Sequence, residues 1–164
     1  LGDKLEAYTD GTSLGNPGPG AFSIILIYER APIVLSRAFR KTTNNRMELM
    51  AVVETLNFCK NNNIKYVKIY TDSQLVAKAI NEGWLERWNR NGWKTSAKQN
   101  VMNIDLWKQF LHYRNFVQPE ILWVPGHSGN TFNEKADKIA KQKAKEDAIE
   151  IDYGFEQEHL SFFD

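Results

Sequence analysis

The 164-residue sequence predicts an α/β fold: a mixed five-stranded sheet, an antiparallel meander followed by parallel strands, flanked by helices. Three observations predict it. Three strand-like runs follow one another near the N-terminus with only turns between them, which makes antiparallel neighbours. The later strand-like runs are separated by amphipathic helices, and a strand reached through a helix pairs in parallel. The length suits one domain with a sizeable core.

Leu5 to Thr9 alternates, with Leu5 and Ala7 on one face and Glu6 and Tyr8 on the other. Asp10 ends this run and opens the loop Gly11-Thr12-Ser13-Leu14-Gly15-Asn16-Pro17-Gly18-Pro19-Gly20. Free φ at glycine and missing N–H groups at proline argue against a regular element there. No Gly-Lys-Ser/Thr follows, so it is not a Walker loop. Ala21 to Tyr28 and Ile33 to Phe39 read as two strands joined by the turn Glu29-Arg30-Ala31-Pro32. From about Met47 to Lys60, Leu49, Val52, Val53, Leu56 and Cys59 recur at helical spacing, with Asn44 or Asn45 as N-cap. Tyr66 to Thr71 is a fourth strand and Gln74 to Asn81 a short helix. Trp84 to Lys98 is polar, basic and rich in tryptophan, and Asn103 to Tyr113 is a helix with Ile104, Leu106, Trp107 and Phe110 on one face. Glu120 to Val124 is the fifth strand, Pro125 to Asn130 a loop, and Asn133 to about Glu146 a Lys-rich helix. Residues 1–146 form the expected domain, and 147–164 an acidic C-terminal tail, flexible or docking.

The make-up, 42% hydrophobic and 25% charged, is that of a soluble globular protein. The most apolar run, Ala21 to Tyr28, is too short to cross a bilayer, so no membrane association is expected. No signal-peptide pattern opens the chain, which begins at Leu1, and the single Cys59 allows no internal disulfide. Both features fit a cytoplasmic location. After Lys145 come seven acids and no Lys or Arg, so the body carries thirteen acids against twenty-one basic residues. A body of +8 suits a polyanionic partner. Nothing in the sequence requires more than a monomer.

Asp10, Glu48 and Asp72 each sit at the edge of an apolar run, and Asp137 sits early in the last helix. Each has a structural explanation by itself. Asp10 suits a turn. Glu48 stands near capping-box spacing after Asn45. Asp72-Ser73 could N-cap the following helix, and Asp137 precedes Lys141 by four, as in an ordinary ion pair. Together they read differently. In α/β sheets functional groups gather at the carboxyl ends of strands. Converging carboxylates there hold hard divalent cations, and two such ions about 3.5–4 Å apart need a bridging carboxylate, for which Asp10 is the candidate. This pattern points to metal-dependent phosphodiester hydrolysis. His127, between glycines, is either a surface loop histidine or a proton carrier. Trp84, Trp88 and Trp93 lie among Arg87, Arg90, Lys94 and Lys98, where aromatics stack on sugars or bases while cations meet phosphates. Core packing accounts for at least one of these tryptophans, and Glu82 and Glu86 weaken the patch.

Tyr-Thr-Asp-Gly with Gly-Asn-Pro-Gly-Pro-Gly, Asn-Asn-Arg-Met-Glu, Tyr-Thr-Asp-Ser-Gln, Gly-Trp-Lys-Thr, Asp-Leu-Trp and Trp-Val-x-Gly-His-Ser-Gly resemble the ribonuclease HI family, in order, from about Leu5 to Lys145. The resemblance implies an RNase H-like fold and hydrolysis of the RNA strand of RNA/DNA hybrids, leaving 3′-hydroxyl and 5′-phosphate ends. It implies that Asp10 bridges two Mg²⁺ ions, with Mn²⁺ a possible substitute. Asp137 would help hold the ion that activates water, and Glu48 and Asp72 the ion at the leaving group. His127 matches a mobile histidine that assists proton transfer and product release. Asn16, Asn44, Asn45 and Gln74 match residues that meet the hybrid's minor groove, and Thr43 part of a DNA-phosphate pocket. Trp84 to Lys98, with Trp84, Arg87, Trp88, Trp93 and Lys94, resembles the family's basic protrusion. Such an enzyme would remove primer RNA or R-loops. The alternative is a hybrid-binding or sliding-clamp adapter on the same fold without catalysis.

In the tail, His159-Leu160-Ser161-Phe162-Phe163 resembles the bacterial sliding-clamp-binding peptide, with His159 for Gln and Phe162 for Leu. The alternatives are that Phe155, Leu160, Phe162 and Phe163 pack on the chain's own surface, or that the acidic tail competes with nucleic acid.

Overall fold

Strand β1 (Lys4–Ser13) lies at the middle of the sheet, antiparallel to β2 (Gly18–Tyr28), which is antiparallel to β3 (Ala31–Thr42). On its other side β1 runs parallel to β4 (Tyr66–Thr71), and β4 parallel to β5 (Gln118–Trp123). The five-stranded order is β3-β2-β1-β4-β5, the predicted meander followed by parallel strands. Pro32 falls inside β3, where the missing N–H costs nothing because β3 is an edge strand. The computed structural model describes residues 4–29, 31–126, 129 and 131–160.

Helices α1 (Asn44–Asn61), α2 (Gln74–Asn81), α3 (Trp84–Arg90) and α4 (Ile104–Tyr113) follow the meander, and α5 (Thr131–Glu146) and α6 (Tyr153–Leu160) close the chain. The main core joins the sheet to α1 and α4 through Leu5, Ala7, Phe22, Ile24, Val52, Leu56, Trp107 and Phe110, all buried. On the opposite face α5 presents Ala136, Ala140 and Ala144 at i, i+4 spacing, and such small side chains let a helix lie close on a sheet. Tyr8 stacks on Tyr70 on that face, ring centroids 4.6 Å apart, with Phe132 of α5 beside them.

Three local expectations are corrected. Asp10 does not end β1: it pairs with Ser23, and Gly11, Thr12 and Ser13 continue the ladder against Phe22, Ala21 and Gly20. Pairing with β2 holds those glycines extended, and the loop shrinks to residues 14–17. The N-cap of α1 is Thr43 rather than either asparagine. Its backbone is still extended, and its hydroxyl accepts the Arg46 N–H at 3.2 Å while Asn44 and Asn45 are already helical. The start of the tryptophan-rich segment, to which the sequence assigns no element, is helical, as α3. Residues 153–160 form α6, whose apolar residues make no helical stripe. It starts because Asp152 caps it, accepting the Phe155 N–H on its side chain and the Glu156 N–H on its carbonyl.

Between α5 and α6 the chain lies along β3. Glu150 makes a parallel bridge with Phe39, with Arg40 N–H donating to the Glu150 carbonyl at 2.8 Å, and so covers part of the sheet edge. Phe155 is buried, as in the packed alternative. Phe162 and Phe163 lie outside the described residues, as do the side chains of His159 and Leu160.

Candidate active site

The β1–β4 ladder stops at Tyr8 and Tyr70, two residues short of Asp10 and Asp72. Thr9 closes it with a side-chain bond to the Tyr70 carbonyl at 3.0 Å. Beyond this point the strands part, and a cleft of about 360 Å³ opens between them. Its walls include Asp10, Glu48, Asp72 and Asp137 with Asn44, Asn45 and Gln74. This is the carboxyl edge of the parallel strands, where the sheet changes from antiparallel to parallel pairing.

Glu48 is held from two sides. Its Oε1 accepts the Gly11 N–H at 2.7 Å and its Oε2 faces the Thr71 hydroxyl at 3.5 Å. The reach depends on glycine, because a Cβ at position 11 would overlap the backbone of Met47 and Glu48. The capping-box reading of Glu48 is therefore not realised. The expected cap of α2 at Asp72-Ser73 is present and is made by Ser73, whose hydroxyl accepts the Val76 N–H at 3.2 Å, which leaves the Asp72 carboxylate to the cleft. The Asp72 carbonyl accepts the Trp123 indole N–H at 3.1 Å, fixing the backbone that carries its carboxylate.

Ligating oxygens of Asp10, Glu48 and Asp72 all lie within 4.8 Å of one another. Asp10 is 5% exposed and Glu48 4%, while Asp72 is more open. The Oδ2 of Asp10 is buried without a hydrogen-bond partner. Burial, followed by the charges of Asp72 and Asp137, pushes the Asp10 pKa up to about 8. Burial and the Asp10 and Asp72 charges push Glu48 well above its ordinary value, against the pull of the Gly11 N–H. Packing three carboxyls this closely is costly unless a proton or cation joins them. An orphaned buried oxygen in an oxygen-only donor set fits a hard divalent cation, and does not match the nitrogen and sulfur set usual for zinc.

Asp137 enters from α5. It lines the same cleft, outside the group of three, and its carboxylate pairs with Lys141 at 2.9 Å, so the simple ion pair is also realised. Its place is set by Ser23, the partner of Asp10 in the ladder, whose buried hydroxyl donates to the Ala136 carbonyl.

Asn16, Thr43, Trp84, Arg87, Trp88 and Lys94 line two further hollows, and Trp93 lines neither. Asn16, Thr43, Asn45 and Trp88 line one of about 370 Å³ that runs toward Asn100 and Trp107. Asn16 Oδ1 also accepts the Asn44 N–H at 3.0 Å, tying the loop after β1 to the start of α1. Trp84, Arg87, Trp88 and Lys94 line another of about 440 Å³ on the protrusion. Trp84, Trp88 and Trp93 are all half-buried: each packs one side on the core, and the fully buried tryptophan is Trp107 instead. Glu86 is drawn away from the basic residues by an ion pair with Arg114 at 2.8 Å. His127 lies outside the described residues, though its neighbour Gly126 borders Asp10, Asp72 and Asp137.

The close approach at Gly11 leaves no mark in the sequence, and neither does the part played by Thr71 in orienting Glu48. Ser23 carried one signal, a hydroxyl inside an otherwise apolar strand.

The family described as RNase H matches residues 2–145 of the chain. A ribonuclease H of Trichodesmium erythraeum is 42% identical over 153 residues, covering 93% of this chain and 96% of that protein. One of Chromobacterium violaceum is 47% identical over 141 residues, covering 85% and 94%. Among solved structures, LC9-RNase H1 superposes with a TM-score of 0.77 at 28% identity, covering 87% of this chain and 72% of that one. With the cluster of acids at the parting of β1 and β4, these similarities establish that the chain belongs to the RNase H family.

Proposed function

We propose that this protein is an endoribonuclease that hydrolyses the RNA strand of RNA/DNA hybrids, leaving 3′-hydroxyl and 5′-phosphate ends. The observation that carries the reading is the meeting of Asp10, Glu48 and Asp72 within 4.8 Å in a cleft whose rim is built from Asn44, Asn45 and Gln74. Amide side chains both donate and accept, which suits a groove that offers 2′-hydroxyls and base edges.

Asp10, Glu48, Asp72 and Asp137 would hold two Mg²⁺ ions, or Mn²⁺ in their place, supplying an activated water and neutralising the leaving oxygen. The chain does the rest. Asp10, on the central strand, brings to the cleft a buried Oδ2 with no hydrogen-bond partner. Gly11 and Thr71 hold the Glu48 carboxylate against the rotation its neighbours' charge would drive. Asn16, Asn44, Asn45 and Gln74 orient the hybrid through its minor groove, and Thr43 meets a DNA phosphate. Trp84, Arg87, Trp88, Trp93 and Lys94 extend the contact along the duplex. His127 serves as proton carrier. The protein acts as a cytoplasmic monomer on primer RNA or R-loops; among the described residues no helix is long and apolar enough to cross a membrane. Residues 159–163 dock a sliding clamp, a reading that equal clamp retention by the full chain and by one ending at Glu158 would overturn.

The test is incubation with RNA/DNA hybrid and Mg²⁺ beside Asp10→Asn and beside RNA/RNA, DNA/DNA and single-stranded controls. Internal cleavage of hybrid RNA alone, abolished by Asp10→Asn, is the expected result. Binding without cleavage would favour a non-catalytic adapter, and cutting of the controls a nuclease of broader substrate range.

A further inference from the structure

Arg46 stands between the hybrid-reading asparagines and Glu48, yet it is buried, with 1% of its side chain exposed. Each of its three guanidinium nitrogens donates a hydrogen bond. Nη1 and Nη2 donate to the two oxygens of Asp105 at 2.8 and 2.6 Å, and Nε donates to Asp152 Oδ2 at 2.7 Å. Thr42 donates to that same oxygen at 2.8 Å, and Asp152 is itself 2% exposed. The three charged residues come from the starts of three helices: Arg46 from the first turn of α1, Asp105 from that of α4, and Asp152 from the cap of α6. Gly154 completes the seal, since a Cβ there would overlap Arg46 and Asp105. The acidic segment after α5 thus drives one carboxylate into the body, beneath the residues that line the cleft and the hollow beside it.

The residues around Arg46 are those that face substrate in the proposed reading. Thr43 caps α1 by accepting the Arg46 N–H, and the Asn44 N–H donates to Asn16 Oδ1. Asn103, which lines the second hollow, lies 3.4 Å from Arg46 Nη1. One guanidinium therefore ties the start of α1 to the start of α4. Unpairing a buried charge disturbs its surroundings more than loss of a surface pair does. We infer that Asp152 is a positioning residue: through Arg46 it holds Thr43, Asn44 and Asn45 in place against Asn103, so that the C-terminal segment governs hybrid affinity without taking part in bond breaking.

This rests on the hybrid-cleaving function, and the experiment separates the two. The full-length Asp152→Asn and Asp105→Asn variants are compared with the wild type and with Val53→Ala, a core change in the same helix. Steady-state cleavage of hybrid is measured with saturating Mg²⁺ well below each melting temperature, with amide hydrogen exchange on the same proteins. For both Asp variants KM should rise about fivefold or more with kcat within twofold, and the Arg46 and Met47 amides should exchange at least tenfold faster. Val53→Ala should lower the melting temperature and leave KM and those amides as they are. Unchanged KM and unchanged exchange in both Asp variants, with an active wild type, would overturn the positioning role. So would a matching KM rise in Val53→Ala, which would reduce it to general stability. A wild type that fails to cut hybrid overturns the proposed function instead, and the exchange at Arg46 and Met47 still decides whether Asp152 holds this edge.

Discussion

Gly11 and Glu48 meet at 2.7 Å across 37 positions of sequence, backbone N–H to carboxylate, and this contact sets how close α1 comes to the central strand. Gly11→Ala places a methyl against the backbone of Met47 and Glu48, which cannot turn aside as a side chain could. Overpacking of this kind costs about 1–3 kcal/mol. The expected outcome is a melting temperature lower by several degrees together with loss of most activity, because Glu48 is displaced. Thermal unfolding and hybrid cleavage on one preparation check both; full activity at the lower melting temperature would count against the role given to this contact.

Asp10→Asn should abolish cleavage and yet stabilise the metal-free protein. The folded-state pKa of Asp10, about 8, exceeds its ordinary 3.8, so between these values the folded protein binds more protons than the unfolded chain. The associated stability is present below about pH 4 and is lost as pH rises through 8. At pH 8 without metal, Asp10→Asn should melt about 4–8 °C higher than the wild type, equivalent to about 2 kcal/mol for a domain of this size. At pH 4 the difference should shrink. Mg²⁺ should raise the melting temperature of the wild type and not of the variant. Calorimetry at both pH values, with and without EDTA, checks each statement.

Ser23→Ala removes the hydroxyl that ties β2 to the Ala136 carbonyl, the peptide next to Asp137. A buried bond of this kind contributes about 1–2 kcal/mol. With α5 less firmly placed, kcat should fall severalfold while KM stays near the wild-type value, since the residues lining the other hollows are untouched. Steady-state kinetics make the check.

Arg87→Ala and Lys94→Ala each remove one cation from the hollow on the protrusion. If each meets one phosphate, binding should weaken for every hybrid sequence alike. The slope of log affinity against log salt should fall by about 1 for each substitution. Titration of Asp10→Asn bearing these changes, at several salt concentrations, measures this without cleavage.

The order of strands and helices was legible in the sequence because each rests on a short-range period, two residues for strands and 3.6 for helices. Asp10, Glu48 and Asp72 could be marked as a candidate cluster because strand ends are where such groups gather, and the cluster is present. Other features were hidden for physical reasons. Helix α6 has no apolar stripe, and Thr43 took the cap from two asparagines that looked better suited to it. Nothing beside Arg46 in the sequence marks it for burial, because its partners Asp105 and Asp152 lie 59 and 106 positions away.

By itself, then, the sequence determined the fold class, the succession of elements and the residue types able to carry the chemistry. These depend on neighbours along the chain, where spacing translates directly into the face a side chain occupies. The tertiary structure decided which oxygens converge, which of them lack a partner, and where the acidic C-terminal segment goes. Those outcomes depend on strand register and on how closely helices approach the sheet. A Cβ absent at Gly11 or Gly154 decides whether two distant carboxylates reach the groups they bind.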